Sequence, residues 1–187
     1  MEKREFLKKL SLGAFAFPLL TRCTTEAEPV TEGSTGSSPN SGDTASSCTL
    51  TNSETAGPYP TKNPSSLIRQ DIRSDRSGVE MDVELTVFNK TTDCLPLEGA
   101  LVNIWHCDKD GNYSEYGSFT SVSFLRGRQT TDANGKVAFT TIFPGWYTGR
   151  ATHIHLHIFD QAGKSLLVSQ IAFPEGSNSA KVLVNTT

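Results

Sequence analysis

From about residue 82 onward, the chain consists of short runs in which apolar and polar residues alternate. A period of two residues is typical of strands that bury one face, and no segment sustains the 3.6-residue period of an amphipathic helix. The pattern predicts five strands: Asp82–Phe88, Ala100–Cys107, Gly135–Thr141, Ala151–Phe159 and Leu166–Ala172. We therefore expect an all-β fold, a two-sheet β-sandwich whose long loops form the functional site.

Turn signals separate the predicted strands. The segments Asp132–Gly135 and Asp160–Gly163 each end in glycine, which adopts the positive φ of tight turns without strain. The longest connection, residues 111–129, carries an unusual number of aromatic side chains for a solvated loop: Tyr113, Tyr116, Phe119 and Phe124. We expect this connection to pack against the sandwich.

The first 47 residues are not predicted to join the core. Residues 1–22 combine a basic start with the apolar run Leu10–Leu20, which is too short to span a bilayer and predicts an export signal. The opening Lys3–Lys8 resembles a twin-arginine signal with lysine in the first basic position. Residues 23–47 are rich in Ser, Thr and Gly and predict a disordered tether, which leaves residues 48–187 as the folded domain.

The end of the predicted signal indicates how the protein is held after export. Leu19–Cys23 resembles a bacterial lipoprotein cleavage box, which makes Cys23 the predicted lipid anchor. An ordinary signal peptide cut a few residues later, leaving a thiol, is the alternative. Either reading places the protein outside the cytoplasm, lipid-anchored in the cell envelope or free in the periplasm or medium.

Charge limits the partners of the exported part. The whole chain has a net charge of −3, and residues 1–22 contribute five basic and two acidic residues, so residues 23–187 carry about −6. This acidity argues against nucleic acid as a partner. Contact with a membrane is expected only through a lipid on Cys23.

The cysteines predict a disulfide. With Cys23 lipidated, Cys48, Cys94 and Cys107 remain, and an exported chain normally pairs two of its cysteines. Cys94 lies before the turn at Pro96–Gly99 and Cys107 at the end of the next strand, so these two are too far apart to bridge easily. Cys48 with Cys107 is the expected pair, and the other pairings stay open.

Two histidines provide the first candidate site. His153 and His155 alternate with an apolar residue in a predicted strand, so both imidazoles lie on one face and can share one metal ion. His157 lies about 6.6 Å farther along and is interpreted as a polar-face residue. On histidines alone zinc is favoured, and a zinc hydrolase would take Asp160 or Glu175 as third ligand.

Four motifs in order along the chain point to a different metal. They are Glu54–Tyr59, Ile104–Asp108 running into Gly111–Tyr113, Pro144–Tyr147 and Gly149–His155. Together they resemble the intradiol ring-cleavage dioxygenases, relatives of protocatechuate 3,4-dioxygenase and catechol 1,2-dioxygenase. The resemblance covers roughly residues 48–174 and is to the short, exported forms.

The resemblance implies a non-haem ferric ion, Fe(III), as cofactor. The matching ligands are two tyrosinates and two histidines: Tyr113, Tyr147, His153 and His155. Phenolate suits a hard, highly charged ion, which lowers the phenol pKa from its ordinary value near 10. The resemblance also implies catalytic roles for Tyr147, which acts as ligand and then as base, for Arg150 against the substrate ring, and for Gln170 nearby.

The implied reaction uses O₂ to cleave a catechol-type aromatic between its two hydroxylated carbons, giving a cis,cis-muconate-type diacid. The residues that match the substrate pocket are Gly57, Pro58, Tyr59 and Arg150. An alternative for the first three is a turn followed by a packing tyrosine. The individual catechol and the oligomeric state, a homo-oligomer included, stay open.

Two other functions remain as alternatives to the dioxygenase. One is a non-catalytic β-sandwich binding module whose tyrosines and histidines only pack. The other is the zinc hydrolase on His153 and His155. Visible colour with ferric iron separates both from an iron–tyrosinate enzyme.

Overall fold

The computed structural model describes residues 48–146, 149–177 and 179–185. The strands are β1 Glu80–Thr86, β2 Phe88–Asn89, β3 Leu95–Pro96, β4 Leu101–Trp105, β5 Arg126–Thr130, β6 Lys136–Ile142, β7 His153–Phe159 and β8 Ser165–Ala172. Three short 3-10 turns occupy Pro64–Ser66, Lys90–Thr92 and Gly117–Phe119, and a short helix, α1, spans Ala180–Asn185. The predicted export signal, the tether with Cys23, and Tyr147 lie outside the described residues. Within those residues, no helix has the length and apolar character needed to cross a membrane.

The strands form one large antiparallel sheet and two smaller pairs. The large sheet has the strand order β5-β4-β7-β8, β1 pairs with β6, and β2 pairs with β3. In the large sheet Trp105 of β4 lies directly opposite His155 of β7. Residues that lie directly opposite in an antiparallel pair share a face, so this register decides which side chains enter the core.

The core lies between the large sheet and the β1–β6 pair. Alternate residues of β4 and β7 point inward and meet residues of β6, and burial of this apolar surface is the main stabilising term of the fold. The fully buried members include Val102, Ile104, Phe139, Ile154 and Ile158. The predicted all-β, two-sheet sandwich is confirmed.

An extended segment, residues 67–72, joins the two layers along one side. The amide of Arg128 in β5 donates to the carbonyl of Leu67 at 2.8 Å, and the amide of Ile72 donates to the carbonyl of Thr140 in β6 at 3.0 Å. Ile72 is completely buried between the layers. The outer edges of β5 and β6 are therefore paired.

The opposite edge of the large sheet is covered as well. The amide of Glu54 donates to the carbonyl of Val168 in β8 at 2.8 Å. The hydroxyl of Ser169 donates to the carbonyl of Asn52 at 2.8 Å. This first described segment therefore runs beside β8 and holds the chain that follows it against the sheet.

The five predicted strands are all present, with ends that agree within two residues. Both predicted turns are confirmed, since Gly135 donates to the Asp132 carbonyl at 2.9 Å and Gly163 to the Asp160 carbonyl at 3.0 Å. β5 was not predicted, because its residues Arg-Gly-Arg-Gln-Thr show no apolar alternation. The connection predicted over 111–129 therefore ends at the start of β5.

The expected disulfide between Cys48 and Cys107 is wrong. Cys48 bonds to Cys94, with their Cα atoms 5.8 Å apart. Cys107 is a free, buried thiol packed with Trp105 and Tyr113. Burial raises the pKa of this thiol to about 12, so it stays protonated. Cys107 lies two residues beyond the end of β4, and its side chain is buried against Trp105 and Tyr113.

His106 directly follows β4 and links the two layers. Its Nδ1–H donates to the Cys107 carbonyl at 2.8 Å, and its Nε2 accepts from the Thr141 hydroxyl of β6 at 2.7 Å. Burial lowers the pKa of His106 to about 4. The imidazole is therefore neutral at neutral pH and fills both of its hydrogen-bonding positions.

The bridge between Cys48 and Cys94 closes a sequence separation of 46 residues. We expect the double variant Cys48→Ser, Cys94→Ser to lose about 2 to 4 kcal/mol in free energy of unfolding, because the open loop gains entropy when unfolded. Urea unfolding with and without a thiol reductant measures this. Reductant should destabilise the wild type alone, and an equal effect on the double variant would contradict the assignment.

A second prediction concerns acid stability. Because the pKa of His106 is lower in the folded chain than its ordinary value, the unfolded chain binds more protons between about pH 6.5 and 4. Stability should therefore fall as pH falls through this window, with His106 contributing at most about 1.4 kcal/mol per pH unit. His106→Gln keeps both hydrogen bonds without titrating, so it should flatten the slope in urea unfolding at stepped pH. His157→Gln, on a half-buried residue, is the control and should change the slope less.

Candidate metal centre

A row of polar and aromatic side chains crosses the large sheet on the face opposite the core. The register places Arg126, Trp105, His155 and Gln170 side by side on β5, β4, β7 and β8. Since directly opposed residues share a face, all four point away from the sandwich interior. His153, two residues before His155, points the same way.

The two histidines and one tyrosine bring their donor atoms together. Nε2 of His153 lies 3.0 Å from Nε2 of His155. The phenol oxygen of Tyr113 lies 3.4 Å from the same Nε2 of His155. All three side chains are buried. Three donor atoms therefore meet in a small space closed off from water.

Hydrogen bonding fixes the tautomer of His153. Its Nδ1–H donates to the carbonyl of Ala151 at 2.6 Å, which leaves Nε2 unprotonated. This arrangement is typical of metal-binding imidazoles, in which one nitrogen is oriented by a backbone carbonyl and the other faces the ion. The lone pair on Nε2 of His153 thus faces Nε2 of His155.

The surroundings of His155 keep it neutral and held in place. Burial first, then the nearby His153 and Arg150, lower the pKa of His155 to about 3. Burial, with a smaller contribution from Arg150, also lowers the pKa of His153. The ring of His155 stacks on Trp105 at 4.9 Å with an interplanar angle of 4°. Within the described residues, Nδ1 of His155 has no hydrogen-bond partner.

The donor set fits a shared cation. Two atoms bound at right angles, each about 2.1 Å from one ion, lie about 3.0 Å apart. This is the separation of the two histidine nitrogens. Two neutral imidazoles and a phenol supply two nitrogens and one oxygen, and a phenol oxygen directed at such a site favours a hard ion over zinc.

A single turn at Asp108 starts the Tyr113 loop. The carboxylate of Asp108 accepts from the amide of Asn112 at 2.9 Å. The backbone carbonyl of Asp108 accepts from the amide of Gly145 at 3.1 Å. A Cβ on Gly145 would lie 2.6 Å from that carbonyl oxygen, so only glycine allows the approach. The turn therefore holds both the loop of Tyr113 and the segment that leads to Tyr147.

The segment predicted to line a substrate pocket reaches the same place. Gly57 has a φ of 69°, and a Cβ there would lie 2.9 Å from Cε1 of His155. The ring of Tyr59 stacks on Tyr113, with centroids 4.6 Å apart and an interplanar angle of 28°. Pro58, which lies between Gly57 and Tyr59 in the sequence, is exposed. The backbone at Gly57 and the ring of Tyr59 thus form one wall of the site.

The two predicted catalytic side chains nearby are bonded to each other. Nη2 of Arg150 donates to Oε1 of Gln170 at 2.6 Å. Nε2 of Gln170 donates to the carbonyl of Thr55 at 2.8 Å. Because Gln170 lies opposite His155 in the sheet, these two hydrogen bonds hold the guanidinium of Arg150 at the edge of the site.

Tyr147 lies outside the described residues. The other candidates make contacts away from the two histidines. Nε2 of His157 shares a hydrogen bond with the Ser165 hydroxyl at 2.9 Å. Asp160 accepts from the amide four residues on, at 2.8 Å, and Glu175 pairs with a lysine at 2.9 Å. Neither carboxylate completes a zinc site with the histidines, and the described residues contain no group of three His, Cys, Asp or Glu placed to hold a metal.

A cavity of about 260 Å³ borders the candidate centre on the tyrosine side. It is lined by Tyr59, Gly111–Tyr113 and Tyr116–Phe119. A second cavity, of about 360 Å³, includes Asp160 at the far end of β7. Seven residues of strand, or roughly 23 Å, separate that end from His153. Of these two cavities, the first is the one lined by a residue of the donor set, Tyr113.

Arg126, which was not predicted as a site residue, is completely buried beside this site. Arginine is rarely buried without partners, but nothing in the polar run around it distinguishes it from a surface residue. Its environment becomes visible only from the pairing of β5 with β4. The indole of Trp105 is the stacking partner of the His155 ring.

Comparison with known proteins identifies the family. A dioxygenase family model matches residues 55–186. The chain is 29% identical over 105 residues to chlorocatechol 1,2-dioxygenase of Pseudomonas sp. (strain P51), covering 46% of this chain and 41% of that protein. It is 34% identical over 91 residues to the protocatechuate 3,4-dioxygenase beta chain of Burkholderia cepacia, covering 42% and 39%. The chain thus spans about two fifths of the length of these curated relatives.

A solved structure agrees over a longer stretch. The intradiol ring-cleavage dioxygenase from Tetranychus urticae superposes with a TM-score of 0.67 at 34% identity, covering 75% of this chain and 71% of that one. The family match includes every residue that the candidate centre draws on, from Gly57 to Gln170. This chain belongs to the intradiol ring-cleavage dioxygenase family.

Proposed function

We propose that the protein is an intradiol dioxygenase that uses non-haem Fe(III) and O₂ to cleave a catechol-type ring between its two hydroxylated carbons. The product would be a cis,cis-muconate-type diacid. One observation carries the proposal: in a chain of this family, the phenol oxygen of Tyr113 and Nε2 of His153 both lie within 3.4 Å of Nε2 of His155. Family membership supports the same reaction class.

Four residues would hold the iron: Tyr113, Tyr147, His153 and His155. When bound, a ferric ion supplies a Lewis acid that withdraws electron density from a chelated catecholate and makes its ring reactive toward O₂. Neutral imidazoles suit this set. Because burial lowers the pKa of His155 to about 3, protons do not compete with a metal ion for its ligand nitrogen at neutral pH.

The protein's own residues would handle protons and charge. Tyr147 would accept one of the two catechol protons at its phenolate oxygen. Arg150 would face the ring and stabilise the anionic charge that develops on it, as a permanently charged guanidinium can. The bond from Arg150 to Gln170 supports this role, because it limits where the guanidinium can point.

The cavity beside Tyr59 and Tyr113 is the proposed substrate site. Its aromatic walls suit a flat ring, and the lack of a side chain at Gly57 lets the backbone pack directly against His155. Tyr59, stacked on Tyr113, would contact a ring substituent. Pro58 belongs to the same wall.

We also propose that the enzyme works outside the cytoplasm, anchored by lipid on Cys23. The disulfide between Cys48 and Cys94 supports this location, because such bonds persist in oxidising compartments. The export signal and the anchor remain predictions from the sequence.

Ferric loading should colour the protein. Tyrosinate bound to ferric iron absorbs visible light, so we expect a burgundy to reddish wild type with one iron per chain. Tyr113→Phe removes one phenolate while keeping the ring stacked on Tyr59. Its visible band should therefore weaken and shift, and its iron affinity should fall by more than the roughly 10- to 100-fold that loss of a residue orienting a metal ligand costs.

Tyr116→Phe is the matched control for this measurement. Its hydroxyl donates to the Pro60 carbonyl at 2.6 Å and lies outside the donor set. Its band should match that of the wild type. A wild type that stays colourless with added iron would rule out the ferric–tyrosinate centre.

Oxygen uptake tests the reaction itself. Iron-loaded protein should consume one O₂ per ring with at least one member of a panel of catechol, protocatechuate, hydroxyquinol and substituted catechols. Mass spectrometry with ¹⁸O₂ should find both oxygen atoms in a diacid. A semialdehyde product would instead mean cleavage beside the hydroxylated carbons, and uptake with no panel member would favour a binding module.

A further inference from the structure

The guanidinium of Arg126 lies under the Tyr113 loop and bonds to two segments that form the site. We propose that Arg126 is a positioning residue that fixes the phenol of Tyr113 and the stacked ring of Tyr59 for metal binding. This inference rests on the proposed function, because it concerns the same centre.

Arg126 connects the two segments through hydrogen bonds on three nitrogens. Nε donates to the hydroxyl of Ser114 at 2.9 Å, and Nη2 donates to the backbone carbonyl of Ser114 at 2.6 Å. Nη1 donates to the carbonyl of Tyr59 at 3.0 Å and to the hydroxyl of Thr61 at 3.1 Å. One side chain therefore holds the residue after Tyr113 and the backbone of Tyr59.

The bonded residues carry the two stacked rings. Tyr59 and Tyr113 have their centroids 4.6 Å apart, and the oxygen of Tyr113 faces His155. A planar guanidinium with a rigid set of donors orients both segments at once, which a flexible ammonium cannot do. Displacing either segment would move the phenol relative to the two histidine nitrogens.

The loop has a conformation that needs such support. Glu115 has a φ of 67°, a left-handed backbone that is strained for a residue with a Cβ. Its amide donates to the carbonyls of Phe119 and Val122, at 2.8 and 3.0 Å. Its carboxylate lies 3.8 Å from Nε of Arg126 and balances the buried charge. The same carboxylate accepts from the amide of Lys62 at 2.7 Å, so the strained turn is held between Lys62 and Arg126.

The decisive variant is Arg126→Lys, which keeps the charge and loses the fork. Arg128→Lys is the matched control: Arg128 lies two residues along the same strand, on the same face, and donates to Asn103 at 2.6 Å. It touches neither segment of the site. Both variants remove one guanidinium from β5.

Three quantities are measured for each protein: ferric affinity, the visible band at saturating iron, and hydrogen exchange of the metal-free protein. We expect Arg126→Lys to bind iron about 10- to 100-fold more weakly, as variants of residues that orient metal ligands do. Its saturated band should shift, because the phenolate meets the iron at a changed angle. Its Glu115 amide should exchange faster while amides of β7 keep the wild-type rate.

The control decides between positioning and general stability. Arg128→Lys should match the wild type in affinity, band and Glu115 exchange. An Arg126→Lys protein with the wild-type saturated band and wild-type affinity would overturn the inference, even if its melting temperature were lower. Equal shifts in both variants would overturn it too.

Ser114→Ala provides a second route if Arg126→Lys does not fold. It removes one acceptor of the guanidinium next to Tyr113 and should shift the saturated band in the same direction, by less. An unchanged band in this variant would then overturn the inference. A wild type without colour refutes the proposed iron centre, and in that case the exchange of the Glu115 amide alone decides whether Arg126 orders the loop.

Discussion

The register between β4 and β7 is the constraint on which the rest of the structure depends. Because Trp105 lies opposite His155, the side chains of Ile104, Ile154 and Leu156 face the core. The row of polar and aromatic side chains that includes His155, here called the donor row, lies on the outer face. A shift of one residue would exchange the two faces, because side chains alternate with a period of two. The histidines would then enter an apolar core, and the isoleucines would face the site. Hydrophobic burial between the layers therefore also fixes where a metal can bind.

The outer face combines a small apolar cluster of Trp105, Cys107 and Tyr113 with polar contacts to buried charges. The carboxylate of Asp108 and the guanidinium of Arg126 are both buried, and each one gathers several backbone groups of the loops above the sheet. Buried charges are costly unless they are paired and fully hydrogen-bonded. Here the pairing partners are the loops themselves, so the loops keep one conformation over the donor row.

Much of this arrangement was predictable because it follows alternation. The strands around the histidines and the shared face of His153 and His155 come from spacing alone. Tyr113 could not be found that way, since its approach to His155 depends on a loop whose path is set by Asp108 and Arg126. The resemblance to a family supplied it. The oxygen of Tyr113 then marks the difference between a zinc pair and an iron centre.

The missed strand β5 and the wrong disulfide have physical causes of the same kind. β5 was missed because its side chains face polar loops and a second segment of chain, so it carries no apolar alternation. The disulfide was misassigned because the direction of Cys107 depends on burial under the Tyr113 loop. In both cases tertiary contacts outweighed local pattern, and they did so at the site. The predictions made from the apolar face needed no such information.

The segment beside β8 has a consequence for solubility. An uncovered edge strand offers unpaired amides and carbonyls to other chains and is a common origin of aggregation. Here the backbone of Glu54 occupies that edge, and three residues later the same segment presses Gly57 against His155. Resistance to edge-to-edge association and the shape of the pocket wall are therefore properties of one stretch of chain. Substitutions that reshape this wall for a bulkier ring must keep the edge of β8 covered. This requirement narrows the set of substrates that the fold can accommodate.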